Sequence, residues 1–155
     1  MSSPIGGEPK AMETTWLLPD LDDEIAAPFW AGTARGELLV QRCSQCGRVR
    51  MPPRPMCPHC RSLEHAWDPT SGRGTIWSFA IPHPPLLPAF AEVAPYNVII
   101  VALDEDPAIR FVGNLVARAD GPINEIDPAT IQIGDPVHVT FARVDDVTLP
   151  RWLRA

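Results

Sequence analysis

Cys43-Ser-Gln-Cys46-Gly47 and, after nine further residues, Cys57-Pro-His-Cys60 contain every cysteine of the chain. Each Cys-x-x-Cys pair presents two thiolates from one tight turn. Two such knuckles brought together close a tetrahedral four-sulfur shell around a metal ion, the arrangement of a zinc ribbon. A closed shell has no open position for a substrate, so the predicted ion is structural zinc. Two competing readings follow from the same residues. A pair of disulfides would suit a small secreted module, but Met1 to Lys10 has no apolar core of a signal peptide, and 155 residues can form a core without covalent staples. Cytoplasm is the expected compartment. Iron in a rubredoxin-type site uses the same spelling, yet most of this chain lies beyond Cys60 and must serve something other than a minimal electron carrier.

The remaining composition narrows the fold. With 19 prolines and 45% hydrophobic residues, the chain favours short strands and fixed turns over long helices, and no apolar run reaches membrane-spanning length. A net charge of −6 with Lys10 as the sole lysine opposes nucleic-acid binding, which needs clustered cations.

Four regions are expected. Residues 1–21 are rich in Ser, Gly, Pro and Glu and read as a flexible tail. Residues 22–36 hold a short helix: Pro28 suits its first turn, Gly36 its stop, and Phe29 and Trp30 are its anchors, facing either the chain's own core or a partner. Residues 37–68 form the ribbon, with strands at Glu37 to Arg42 and Arg48 to Met51. Residues 69–155 form a barrel. Within it Thr75, Trp77, Phe79 and Ile81 alternate with Ile76, Ser78 and Ala80, predicting a strand with one aromatic face. Tyr96 to Leu103 reads as a buried strand, Ile109 to Ala117 as the next, and Val137, Val139 and Phe141 as another. Four to five strands with short turns suggest a closed barrel of the OB type, so the predicted class is mainly β: short N-terminal helix, zinc ribbon and C-terminal OB-fold β-barrel.

The order Phe29-Trp30, Gly36-Glu37-Leu38, Cys43-x-x-Cys46-Gly47, Pro52-Pro53-Arg54, Cys57-Pro58-x-Cys60, Gly72-Arg73-Gly74-Thr75, Pro95-Tyr96, Gly113-Asn114-Leu115 and Gly134-Asp135-x-Val137 resembles the DUF35 family. The resemblance runs from about residue 22 to residue 152. It implies a rubredoxin-like zinc ribbon joined to an OB barrel, in a small subunit or fused domain that sits beside thiolases, thiolase-like aldolases or MaoC-type hydratases, including those of steroid side-chain degradation. The long tail and the proline-rich segment from Pro82 to Pro95 depart from the family pattern.

The residues themselves also point to an accessory role. A thiolase needs a cysteine nucleophile, and all four cysteines are committed to metal. No Gly-x-Ser-x-Gly, His-Glu-x-x-His or Gly-x-x-x-x-Gly-Lys motif is present, and no histidine follows an aspartate at the spacing of a MaoC-type dyad. His59 lies inside a knuckle whose sulfurs fill the shell, and His65 and His138 carry no motif. His83 lies in Pro82-His83-Pro84-Pro85, the one histidine in a segment shaped like a functional loop. There Leu86, Leu87 and Phe90 form a stiff apolar arm, either a partner surface or a lid on the barrel. Arg73, Arg110 and Arg118 are candidates for the phosphates of an acyl-CoA.

The expected function is therefore a non-catalytic zinc subunit of a thiolase-like acyl-CoA enzyme, a hetero-oligomer built on a partner dimer. Phe29, Trp30, Trp77, Phe79, His83, Leu86, Leu87, Phe90 and Arg73 are the candidate contacts for partner or acyl-CoA. The alternatives are support of a MaoC-type enoyl-CoA hydratase, or a nucleic-acid-binding OB module in which Trp77 and Phe79 stack bases.

Overall fold

A computed structural model describes residues 16–155. The element order is α1 (Ala27–Ala34), β1 (Leu39–Cys43), β2 (Val49–Arg50), β3 (His65–Pro69), β4 (Arg73–Ala80), α2 (Pro88–Ala91), β5 (Val98–Leu103), β6 (Arg110–Gly113), a 3-10 turn (Pro128–Thr130), β7 (Pro136–Val144) and β8 (Val147–Arg154). Strands β2-β1-β3 form a small antiparallel sheet that carries the cysteines, and β6-β5-β4-β7-β8 form a five-stranded antiparallel sheet. The two edges of the larger sheet meet at a parallel bridge between Leu115 and Trp152, where Trp152 N–H donates to Asn114 O (3.0 Å) and Val116 N–H donates to Trp152 O (2.8 Å). This closure makes the partly open barrel of an OB fold.

Helix α1 carries Pro28 in its first turn, where the missing N–H costs nothing. It stops at Gly36, which takes φ 79° and lets Gly36 N–H reach Thr33 O (3.0 Å) and Glu37 N–H reach Gly32 O (2.9 Å), a Schellman cap. The helix packs on β1 and β8. Phe29 is buried and stacks on Phe111 (centroids 6.2 Å apart), and Phe111 in turn packs against Trp152 (6.4 Å). Leu38, Leu39 and Val40 from β1 enter the same core as Ile76, Ile99, Val101, Leu115 and Val137 from the barrel. Helix, ribbon and barrel thus share one apolar interior.

Three sequence expectations change. The predicted aromatic face of β4 is interrupted, because Ile76 pairs with Val101 while Ser78 pairs with Ile100, so Trp77 is an extra residue on its strand. Such a bulge shifts the inward parity by one position: Ile76 is in the core, Phe79 and Ile81 pack against it, and Trp77 is 47% exposed. Within the tail expected to residue 21, Trp16 stacks on Phe90 at 5.5 Å while Leu17 is exposed; residues 1–15 lie outside the described residues. Strand β8 adds to the predicted elements, and it contains Pro150. Pro150 is tolerated on an edge strand: its nitrogen points to the same side as that of Trp152, away from β7, so no bond of the β7–β8 ladder is lost.

The loop between β6 and β7 is fastened from inside by Asn97. Its buried side chain donates to Leu115 O (2.8 Å) and Ile123 O (3.2 Å) and accepts from Leu115 N–H (2.6 Å). Asn97→Ala leaves three buried backbone groups short of a partner, and should lower unfolding free energy by about 2–3 kcal/mol in a denaturant titration.

Candidate functional site

The two knuckles repeat one local design. In the first, Gly47 N–H closes on Cys43 O (2.9 Å) with Gly47 at φ 73°; in the second, Arg61 N–H closes on Cys57 O (2.9 Å) with Arg61 at φ 63°. The left-handed residue after each second cysteine turns the backbone so that its N–H groups face the sulfurs. Glycine adopts that conformation without strain in the first knuckle, while the second holds an arginine there. The four Sγ atoms lie within 4.8 Å of one another, with Cys43 and Cys60 at 3.5 Å and Cys46 and Cys57 at 3.7 Å. A zinc–sulfur distance of about 2.3 Å requires tetrahedral edges near 3.8 Å, so the cluster fits a structural zinc ion in both donor type and spacing. Cys43 and Cys57 are fully buried, and Cys46 and Cys60 are partly so.

The surrounding backbone prepares the sulfurs to be thiolates. N–H groups of Cys46 and Gln45 lower the Cys43 thiol to about 6, against an opposing effect of burial. Those of Cys60 and His59 likewise lower Cys57. At Cys60 the Ser62 N–H also favours the thiolate, but burial and the three neighbouring sulfurs outweigh it and push the thiol up to about 11. Without a cation the cluster resists holding four negative charges, and a divalent ion relieves that repulsion.

The candidate contact residues do not converge on one site. Phe29 is buried between Trp30 (4.9 Å, edge to face) and Phe111, and it lines the same cavity as Trp30. Trp30 is half-buried and lines a cavity of about 470 Å³ with Met51, Arg110, Val112, Leu149 and Pro150. Trp77 stands beside this region with the Arg110 guanidinium 3.7 Å above its ring, a cation–π contact, and Val112 next to Arg110 is 66% exposed. Phe79 packs inward. The proline-rich arm lies elsewhere: Phe90 is held between Trp16 and Tyr96, Leu86 is half-buried, and Leu87, 57% exposed, borders a second cavity of about 450 Å³ with Leu17 and Glu92. His83 is exposed on the same segment. Arg73 is exposed; burial raises the neighbouring Glu105 carboxyl, but the hydrogen bonds it accepts, led by that from Ser71 N–H, together outweigh this and lower it, with Arg73 adding a smaller attraction. His59, His65 and His138 are exposed as well, and the described residues bring no histidine onto the sulfur cluster.

Sequence reading missed Met51, Val112, Leu149 and Pro150 as cavity walls. The last two belong to β8, and exposure of Val112 becomes visible only once β6 is known to be a sheet edge.

Comparison with known proteins accounts for this architecture. The rubredoxin-like zinc ribbon domain of ChsH2 matches residues 30–66, and the ChsH2 C-terminal OB-fold domain matches residues 67–142. A DUF35 domain-containing scaffold protein of Methanothermobacter thermautotrophicus is 37% identical over 113 residues, covering 71% of this chain and 75% of the relative. The chain belongs to the DUF35 family. A DUF35 chain in the solved structure titled Ltp2-ChsH2(DUF35) aldolase superposes with a TM-score of 0.73 at 33% identity, covering 88% of this chain and 98% of that one. The 3-oxo-4,17-pregnadiene-20-carboxyl-CoA hydratase alpha subunit of Mycobacterium tuberculosis is 33% identical over 124 residues, 80% of this chain but 36% of that protein. The chain thus spans about a third of the length of the hydratase alpha subunits it matches.

The lowered thiols of Cys43 and Cys57 fix the sign of a pH effect. Their folded-state values lie below the ordinary cysteine value, so the thiolate contribution is present above that ordinary value and is lost as pH falls through the folded one, about 6 for Cys43. Metal affinity, read by competition with a chelator, should be lower at pH 5.5 than at pH 7.5, with protons released on binding.

Proposed function

We propose that this DUF35 protein is the non-catalytic zinc subunit of a thiolase-like acyl-CoA enzyme, a thiolase or a retro-aldolase acting on the CoA ester of a steroid side chain. One zinc ion held by Cys43, Cys46, Cys57 and Cys60 would fix the ribbon, and the partner would supply the chemistry. The observation that carries this reading is the superposition over nearly the whole of a DUF35 chain from an aldolase complex. The chain's own chemistry agrees with it. Its four thiols gather in one cluster, and among the described residues the histidines are scattered at the surface, leaving neither a nucleophile nor an acid–base pair beside a cavity.

Val112, Trp77 and Leu87 are large apolar side chains left exposed on a small barrel, and they are the surfaces a partner would cover. The cavity beside Trp30 and Arg110 suits a wall of an acyl-CoA channel: apolar groups for the acyl chain, with a guanidinium at its border. A second reading has one observation in its favour. The hydratase alpha subunits share this module over about a third of their length, so the same chain could support an enoyl-CoA hydratase.

Co-expression with a thiolase-like partner, and separately with a MaoC-type hydratase, decides between the two by size-exclusion chromatography and activity. The partner should co-elute with this chain and be poorly active without it. Separate elution, with the partner fully active alone, would remove the support for an accessory role. Val112→Asp and Leu87→Asp should each weaken the complex by about 2 kcal/mol, roughly thirtyfold, while leaving the metal content unchanged. Elemental analysis should give one zinc per chain, and Cys57→Ser should lose it together with the folded ribbon.

A further inference from the structure

Arg151 of β8 is 6% exposed, yet its guanidinium has one hydrogen bond among the described residues, from Nη1 to Gly121 O at 2.8 Å. Its Nε is buried without a partner, and none of the ion pairs found among the described residues includes it. An arginine stays protonated in proteins, so the charge cannot be discarded. Burial alone lowers this arginine's affinity for its proton, with no opposing attraction from an acid. A buried cation left in this state is costly, and ordinarily an anion compensates it.

The space for such an anion lies beside it. Arg151 and Arg143 line a cavity of about 370 Å³, with Gly121, Trp16 and Ile123 among its other walls. Arg143 is exposed and donates from Nε to Asp145 O (3.0 Å), which orients its guanidinium group. The acidic member of the lining, Asp120, is highly exposed and lies 3.7 Å from Arg118, so its charge is turned toward solvent and another cation. This cavity is distinct from the one beside Trp30 and shares no lining residue with it.

We propose that this cavity is an oxyanion site, in which a carboxylate or phosphate group pairs with Arg151 and is flanked by Arg143. Planar guanidinium forks match both anions, and the burial of Arg151 strengthens the pairing. The ligand is a free oxyanion or the anionic end of a small molecule.

Thermal unfolding of the full chain in phosphate and in chloride, at equal pH and ionic strength, tests the assignment. Phosphate should raise the Tm of the unsubstituted chain by several degrees in a saturable way, and Arg151→Met should abolish that response. Should Arg151→Met fail to fold, phosphorus NMR line broadening by the unsubstituted chain, reduced in Arg143→Gln, replaces it. The proposal is overturned if phosphate stabilises Arg151→Met as much as the unsubstituted chain. It is equally overturned if phosphate neither shifts the Tm of the unsubstituted chain nor shows line broadening.

Discussion

Phe29, Phe111 and Trp152 form a run of aromatic packing that joins the helix to both edges of the barrel. Trp152 is wholly buried, and a side chain of that size contributes about 3 kcal/mol through burial alone. Its backbone simultaneously accepts from Val116 and donates to Asn114, so one residue both fills the core and closes the sheet. Gly113 makes the approach possible, because a Cβ there would lie 3.0 Å from the indole. The rest of the architecture follows from this junction: α1 is held where it covers the end of the barrel, and β1 leaves it already committed to the shared core.

The ribbon is joined to that core through its strands. Leu38, Leu39 and Val40 lie shortly before Cys43 and are buried with the barrel's residues, and Val49, Met51 and Trp67 pack against the same core, while the second knuckle has few apolar side chains to bury. Hydrophobic packing therefore fixes the first knuckle's approach, and the second relies on its backbone bonds and the ion its sulfurs would share. Small modules with little core commonly depend on metal in this way.

Cysteine spacing made the metal cluster legible because both knuckles are local: each needs two sulfurs from four residues and one left-handed position. Pro28 and Gly36 marked the helix for the same reason. What the sequence could not show depends on pairing between distant strands. Trp77 reads as part of an alternating face until Ile76 and Ser78 take successive partners on β5, and Pro150 reads as a strand breaker until its nitrogen is known to face away from β7. Phe29 and Trp30 looked equivalent, and both line the cavity, yet Phe29 is buried in the shared core while Trp30 is half-buried. Arg151 carried no sequence signal, since nothing in Leu-Pro-Arg-Trp distinguishes a buried guanidinium from a surface one.

The late position of Trp152 along the polypeptide sets an order of events during synthesis. Phe29 and the cysteines leave the ribosome first, and the ribbon needs only local segments to gather its sulfurs. The barrel cannot close until β8 has emerged and reached back to Asn114 and Val116, a pairing of high contact order. Until then the rings of Phe29 and Phe111 lack the indole that packs beside them, and the nascent chain displays apolar surface to any chaperone or neighbouring polypeptide. A ribosome stalled before residue 147 would thus hold a metal-competent ribbon attached to an unfinished, adhesive half-barrel.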